Sequence, residues 1–313
     1  MSDTDADQTA LRVFADHREL LFSVVYNLLG SVADTEDVLQ ETWLSWSRRD
    51  GGPITNPRAY LVRIGVNHAL ARQASISRRR ETYVGSWLPE PVVTEVQAAG
   101  GAQAALRNEA VSMALLVVLE TLTPLERAVF VLHEVFGYAH TEIGEILGRS
   151  PAAVRQLAHR AREHVHARRP RFHADPLVQR QVTERFLTAA LGGDLEALLR
   201  LLAPDVTLWT DSGGKTGWAL RPVQGRDRVA TAIVKGSARR PDDLEITYRT
   251  VNGDPSAVLF GHNAPFAVMV LDLSDDGERV EGVYVVSNPD KLTRIPDDAD
   301  QEAASPPPPG TRP

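Results

Sequence analysis

Apolar positions in the first eighty residues recur with helical spacing. Leu11, Phe14, Leu20, Leu21, Val24, Val25, Leu28 and Leu29 follow one another at three- and four-residue steps, as one face of a helix requires. Gly30 ends that helix. Asp34 or Thr35 stands where it can cap the next, whose inner face carries Val38, Thr42, Trp43 and Trp46. Gly51-Gly52-Pro53 interrupts the pattern, and Asn56-Pro57 opens a third helix bearing Tyr60, Leu61, Ile64 and Leu70. Residues 81–101 lose the period. Tyr83-Val84-Gly85-Ser86-Trp87-Leu88-Pro89-Glu90-Pro91 reads as an extended linker whose aromatic content suits docking. Helical spacing resumes from Ala104 to Leu122, and Thr123-Pro124-Leu125-Glu126 starts a further helix.

Beyond Pro176 the period changes again. Two helices, about 177–191 and 194–202, precede β-rich runs at Val206–Thr210, Leu244–Val251, Ala257–Phe260, Phe266–Leu273 and Val280–Ser287, with one helix near Arg226–Val234. This order predicts an α+β domain on a mostly antiparallel sheet. The tail from Pro296 is acidic and then proline-rich, a composition that predicts disorder. The expected fold is therefore multidomain, with two all-α units followed by one α+β unit. The expected bounds are 1–81, a linker at 82–103, then 104–172, 173–294 and a tail at 295–313.

Composition narrows the function. The chain has 313 residues and no cysteine, which excludes disulfides, thiolate catalysis and cysteine-ligated metal. No uncharged apolar run approaches the roughly 18 residues that span a bilayer. The acidic start, Met1-Ser2-Asp3-Thr4-Asp5, does not resemble a secretory signal. A cytoplasmic protein without a membrane partner is expected.

The net charge of −7 first argues against nucleic acid, but its distribution is uneven. Residues 174–313 hold 15 basic and 21 acidic residues, a net −6, which leaves −1 for residues 1–173. Between Asp50 and Glu81 there is no acid, yet Arg58, Arg63, Arg72, Arg78, Arg79 and Arg80 are present. From Arg149 to Arg171, seven arginines face one acid, Glu163. Two basic stripes on an acidic chain fit local phosphate contacts, and equally fit solvated helix faces.

The stretch 140–165 favours the first of these alternatives. A short helix with Ile143, Ile146 and Leu147 meets a turn at Gly148, a cap at Ser150 and Pro151 in the first helical position. The following helix puts Val154, Leu157 and Ala161 on one face, with Arg155, Gln156, His159, Arg160 and Arg162 mainly on the others. That is the layout of a helix-turn-helix, whose second helix can present Arg and Gln to base edges in a major groove, and the alternative is an ordinary helical hairpin.

Leu122-Thr123-Pro124-Leu125-Glu126-Arg127-Ala128-Val129-Phe130, Tyr138-Ala139-His140-Thr141-Glu142-Ile143-Gly144 and Val154…Arg160-Ala161-Arg162 resemble region 4 of bacterial sigma factors. Asp34-Thr35-Glu36-Asp37-Val38-Leu39-Gln40-Glu41-Thr42-Trp43 and Asn56-Pro57-Arg58-Ala59-Tyr60-Leu61-Val62-Arg63-Ile64-Gly65-Val66-Asn67 resemble region 2. The ordered pair is similar to the extracytoplasmic-function (ECF) sigma factors. Trp87-Leu88-Pro89-Glu90-Pro91, Asp211-Ser212-Gly213-Gly214-Lys215 and Asn288-Pro289-Asp290-Lys291-Leu292 resemble the signatures of the subgroup with a fused SnoaL/NTF2-like cone. The second departs at Ser212, where the family usually has Gly.

The resemblance implies an alternative sigma factor without cofactor or metal. Its partners would be promoter DNA and core RNA polymerase, through the clamp helices and the flap. Asp34, Asp37, Gln40 and Glu41 would meet the clamp helices. Tyr60, Arg63, Asn67, His68 and Arg72 would read the −10 element, with Arg78, Arg79 and Arg80 on phosphates. Arg155, Gln156 and His159 would touch the −35 element, with Arg149, Ser150, Arg160 and Arg162 beside the backbone. Trp87, Pro89, Pro91, Asp211, Gly213, Gly214, Lys215, Asn288, Pro289, Asp290, Lys291 and Leu292 would form regulatory contacts, the last two motifs acting as a latch on the sigma domains or the linker, or else serving only as turns. Trp43 and Trp46, at helical spacing, suit the core better than base stacking.

Enzyme signals are sparse. There is no phosphate-binding loop ending in Lys-Ser/Thr and no GxSxG. His133-Glu134 lacks a histidine at zinc-protease spacing, since the next is His140. Trp209, Asp211, Trp218, Tyr248, His262, Asp272 and Tyr284 could line a pocket for a small ligand, or simply fill a core. A cone acting as enzyme or sensor is thus the rival reading.

Overall fold

The computed structural model describes residues 3–49, 54–94, 111–166 and 175–296. Helix α1, Asp3–Leu29, ends where Gly30 turns to φ +66°. Helix α2, Val32–Ser47, is capped by Ser31, whose hydroxyl accepts from the Asp34 amide at 3.3 Å. The cap therefore lies ahead of Asp34 and Thr35, the two residues suggested by the sequence. Thr35 is instead buried and donates to the Ser31 carbonyl at 2.7 Å. Helix α3, Pro57–Glu81, starts on Asn56, which accepts from the Ala59 amide. These helices bury Leu21, Val25, Leu28, Val38, Leu61 and Val66 against one another.

Helix α4, Met113–Leu119, comes next, and α5, Pro124–Phe130, begins with a reciprocal capping box between Thr123 and Glu126. A π-helical turn at Val131–Val135 continues it, a feature the period does not announce. Helices α6, His140–Leu147, and α7, Pro151–His166, complete this part. Expected helical residues 104–110 lie outside the described residues. So do Gly100-Gly101, the Pro170–Pro176 joint as far as residue 174, and the tail from residue 297.

The two helical parts share one core. Leu116, Leu119, Val129, Leu132, Ile143 and Val154 belong to the apolar cluster that contains Leu21 and Leu61. Buried Arg127 crosses the seam, donating from Nε to the Asn27 carbonyl at 2.9 Å and pairing with Glu120 at 2.8 Å. Arg80 of α3 reaches the same Glu120 and donates to the Leu29 carbonyl at 3.0 Å.

The α+β part has helices α8, Pro176–Gly192, α9, Leu195–Leu201, and α10, Arg226–Ser237. Its strands are β2, Leu202–Asp211; β3, Val223–Gln224; β4, Glu245–Val251; β5, Asp254–Gly261; β6, Ala264–Leu273; and β7, Val280–Val286. Among the described residues they form one sheet with β1, Val93–Thr94, in the order β1-β4-β5-β6-β7-β2-β3. The β2–β7 pairing is parallel and the others are antiparallel. Strand β1 comes from the linker: Val93 pairs with Val251 and Thr94 with Thr250. The linker thus adds an edge strand to the sheet, which its prolines do not advertise.

Both sheet faces are covered. One packs Leu259, Leu271 and Val283 against Phe186, Leu198 and Ile233 of the helices. The other packs Val258, Phe260, Val268, Val270, Tyr284 and Val286 against Leu88 of the linker, Met113 and Ala114 of α4, and Leu292. The Asn288–Leu292 motif forms a single helical turn, α11, Pro289–Leu292, capped by Asn288.

Candidate DNA-binding and interdomain sites

Two glycines make the helix-turn-helix possible. A Cβ on Gly144 would lie 2.7 Å from the Arg149 carbonyl oxygen, and Gly148 holds φ at +62°. Ser150 caps α7 by accepting from the Ala153 amide at 3.2 Å. Because α7 buries Val154, Ala158, Ala161 and Val165, its opposite side presents Arg155, Gln156, His159 and Arg160, which line one shallow surface groove with Ala152. Arg149 and Ser150 are exposed beside it at the turn.

Acids tether part of this set. Arg160 pairs with Glu126 at 2.9 Å, Arg162 with Glu134 at 2.8 Å and His159 with Glu163 at 3.3 Å. Burial would raise the Glu126 carboxyl, but hydrogen bonds from Thr123 and Arg160 outweigh it and hold the group below its ordinary value. Arg155 and Gln156 are exposed and make no ion pair or side-chain hydrogen bond among the described residues.

In the first bundle, the groups assigned to polymerase and to DNA form one network. Asp34 is buried, while Asp37, Gln40 and Glu41 are exposed on α2. Arg72 of α3 donates to Asp34 at 2.9 Å, to Glu41 at 3.3 Å and to Asp37. Arg79 donates to both Asp34 oxygens at 2.7 and 2.8 Å. Burial opposes ionisation of Asp34, yet these arginines and Ser31 leave its carboxyl below the ordinary value. His68 lies 3.4 Å from Glu41. Tyr60 is half-buried, 5.9 Å from the Trp46 ring, with Arg63 over its outer side. Asn67 and Arg78 are exposed. Arg80 faces inward to Glu120, away from any phosphate in this arrangement.

The three signature motifs converge on Asp211, which is fully buried at the end of β2. One carboxylate oxygen accepts from the Tyr83 hydroxyl. The other accepts from the Leu88 amide at 2.8 Å and the Lys291 ammonium at 2.7 Å. Lys291 also donates to the Leu88 carbonyl at 2.5 Å and stands 3.4 Å from the Trp87 ring centre. Burial lowers the Lys291 ammonium to about 8, although Asp211 pulls it the other way. Asn288 donates to the Tyr83 oxygen at 2.7 Å. Two glycines permit this fit: a Cβ on Gly213 would meet Asn288 at 2.8 Å, and one on Gly214 would meet Val84 at 2.8 Å. Lys215 and exposed Asp290 add a surface ion pair at 2.6 Å. Pro89 and Pro91 are buried beside the seam.

A second junction uses residues that the sequence reading did not single out. Glu90 accepts from Ser31 at 3.0 Å and from the Val32 amide at 2.8 Å, so a linker carboxylate sits at the start of α2. Tyr26 donates to the Glu90 carbonyl at 2.6 Å and accepts from Asn252 at 2.7 Å. Asn252 exchanges hydrogen bonds with Val92 at 2.9 and 3.2 Å. Asn252-Gly253 is the two-residue turn between β4 and β5, with both residues at positive φ, and nothing local to Tyr26 marks its role.

The candidate pocket residues do not converge. Trp209 stacks on Tyr284 at 4.8 Å on the linker-facing side of the sheet. Trp218 and Tyr248 belong to the helix-facing cluster, and His262 is exposed on a turn at φ +54°. No helix among the described residues is long and apolar enough to cross a membrane.

The chain matches the Sigma-70 region 2 family over residues 13–80 and the Sigma-70 region 4 family over residues 112–165. It is therefore a sigma-70-type transcription factor, with a basic helix-turn-helix behind a helical bundle. It is 39% identical over 288 residues to the ECF RNA polymerase sigma factor SigJ of Mycobacterium tuberculosis, covering 89% of this chain and 92% of the relative. The probable ECF sigma factor SigI of the same species is 30% identical, covering 93% and 97%. The crystal structure of M. tuberculosis SigJ superposes with a TM-score of 0.71 at 36% identity, covering 90% of this chain and 98% of that one. The chain belongs to the ECF RNA polymerase sigma factors, and its activity is promoter-specific transcription initiation.

Proposed function

We propose that the α+β cone controls initiation in cis, by clasping the linker and holding the two DNA-reading parts against each other. The observation that carries this reading is the buried Asp211–Lys291 pair closing around the Leu88 backbone. A linker gripped by both its amide and its carbonyl cannot lengthen to let regions 2 and 4 separate. In this arrangement Arg72 and Arg79 are occupied by Asp34, Asp37 and Glu41, so the polymerase-facing acids and the −10-facing arginines neutralise each other. Binding of the acids to polymerase would free the arginines for single-stranded DNA. The change is a population shift between restrained and promoter-competent arrangements. Arg155 and Gln156 are the favoured −35 readers, because acids do not hold them.

The cone is read as a regulatory part without catalysis, supported by the split placement of Trp209, Trp218, Tyr248 and His262. Run-off transcription with core polymerase tests both readings. Asp211→Asn should raise initiation above wild type at equal holoenzyme concentration. Equal or lower initiation from a folded variant would remove the clasp, and turnover of a small ligand by the full chain would restore the enzyme reading.

A further inference from the structure

The cone carries a third basic surface, separate from both stripes. Residues 221–240 contain Arg221, Arg226, Arg228, Lys235, Arg239 and Arg240 against one acid, Asp227. The rest of residues 174–313 holds 9 basic and 20 acidic residues, so a net +5 patch sits on a part that is otherwise −11. Five of the six cations are exposed and Arg226 is half-buried. None forms an ion pair among the described residues. That separates them from Arg72, Arg79, Arg160 and Arg162, each of which an acid neutralises. Apart from Asp227, the nearest acids in sequence are Asp242 and Asp243, and Asp243 already accepts from the His262 amide.

The patch is also built as a unit. Helix α10 carries Arg226 to Lys235, and the loop after β2 is pinned to its end. Trp218 packs so closely on Gly236 that a Cβ there would lie 2.3 Å from its ring. Arg239 donates to the Gly217 carbonyl. Arg221 thus stands on a loop pinned to the end of α10, the loop that begins with the Asp211–Lys215 motif.

We propose that this patch binds backbone phosphates of the duplex flanking the −35 element. Unneutralised Arg and Lys side chains on a preformed helix make sequence-independent phosphate contacts. Proximity selects which DNA. The −35 helix is described to His166 and the cone starts at Asp175, nine Cα–Cα steps that can span at most about 30 Å. A cone so tethered stays beside the duplex that α7 reads. The rest of its surface is acidic, which leaves the patch as the side that turns toward DNA.

The test uses holoenzyme formed from core polymerase and the full chain. Its affinity for promoter DNA is measured against salt concentration, on a duplex extended several turns past the −35 element and on one cut at its edge. The variant is Arg221→Gln/Arg228→Gln/Lys235→Gln/Arg240→Gln, which spares the Arg239 loop contact. On the long duplex its log–log salt slope should be shallower by about two to three and a half, since each phosphate contact contributes about 0.9. The two proteins should coincide on the short duplex. Arg221→Lys/Arg228→Lys/Arg240→Lys should keep the wild-type slope, because a point charge suffices for phosphate. Equal slopes on the long duplex, or an equal loss on both duplexes, would overturn the proposal while leaving the initiation activity itself intact.

Discussion

Asp211→Asn removes one charge from a closed network and leaves its shape nearly unchanged. In the wild type, the carboxylate compensates a buried ammonium and also accepts from Tyr83 and Leu88. The amide can keep one of these bonds but no longer offsets the burial of the Lys291 amine. Stranding one member of a buried pair costs about 3–5 kcal/mol. Lys291 would retain the Leu88 carbonyl and the Trp87 face, so the lower end, about 3 kcal/mol, applies. That corresponds to an opening equilibrium shifted about 150-fold. Hydrogen exchange reads it directly, because the Leu88 amide is protected by Asp211 itself. Protection of residues 83–92 should fall by about two orders of magnitude, while the α1 core around Val25 is unchanged. Adding Lys291→Met removes the stranded amine and should restore about tenfold of the lost protection. A fall of less than tenfold in Asp211→Asn, or no recovery in the double variant, would refute the claim that this pair holds the linker.

The other expectations concern separate contacts. Asn252→Ala deletes the side-chain bonds to the Tyr26 hydroxyl and the Val92 amide and should cost about 1–3 kcal/mol. Exchange at residues 89–94 should accelerate before exchange at Leu88, and simultaneous loss would show that the two junctions are one unit. Arg155→Ala should weaken holoenzyme binding at a single −35 position by about 1–3 kcal/mol; uniform loss on every sequence would make Arg155 a phosphate contact. Asp34 is held below 3.8 in the folded chain, so its stabilising contribution is complete above that value and is lost as pH falls through the lower folded one. Urea unfolding across this acid range should be flatter for Asp34→Asn, and parallel curves would show that Arg72 and Arg79 do not stabilise the fold through this carboxylate.

Local patterns conveyed the helices well, because their faces alternate at 3.6 residues and their ends carry Gly30, Asn56-Pro57, Thr123-Pro124 and Ser150-Pro151. The strands of the cone were legible for similar reasons. What escaped depends on distant partners. Strand β1 is only two residues long and exists because β4 offers a free edge. Glu90 and Tyr26 gain their roles across 58 to 64 residues of sequence. The arginines of the basic stripes looked equivalent, yet Arg80 turns inward to Glu120 while Arg78 stays exposed. Position on a helix face, and not residue type, separates them. The overall charge of −7 concealed the distribution that matters, down to a basic helix on the acidic cone.

In the proposed mechanism the free chain holds regions 2 and 4 together and polymerase separates them. The chain has no cysteine, so Ala71→Cys and Ala152→Cys, exposed on α3 and α7, give two unique spin-label sites. Pulsed electron–electron resonance on the free chain and on holoenzyme measures their separation. One short, narrow distance in the free chain and a longer one in holoenzyme is the expected result. The same distance in both would show that polymerase does not separate the two regions.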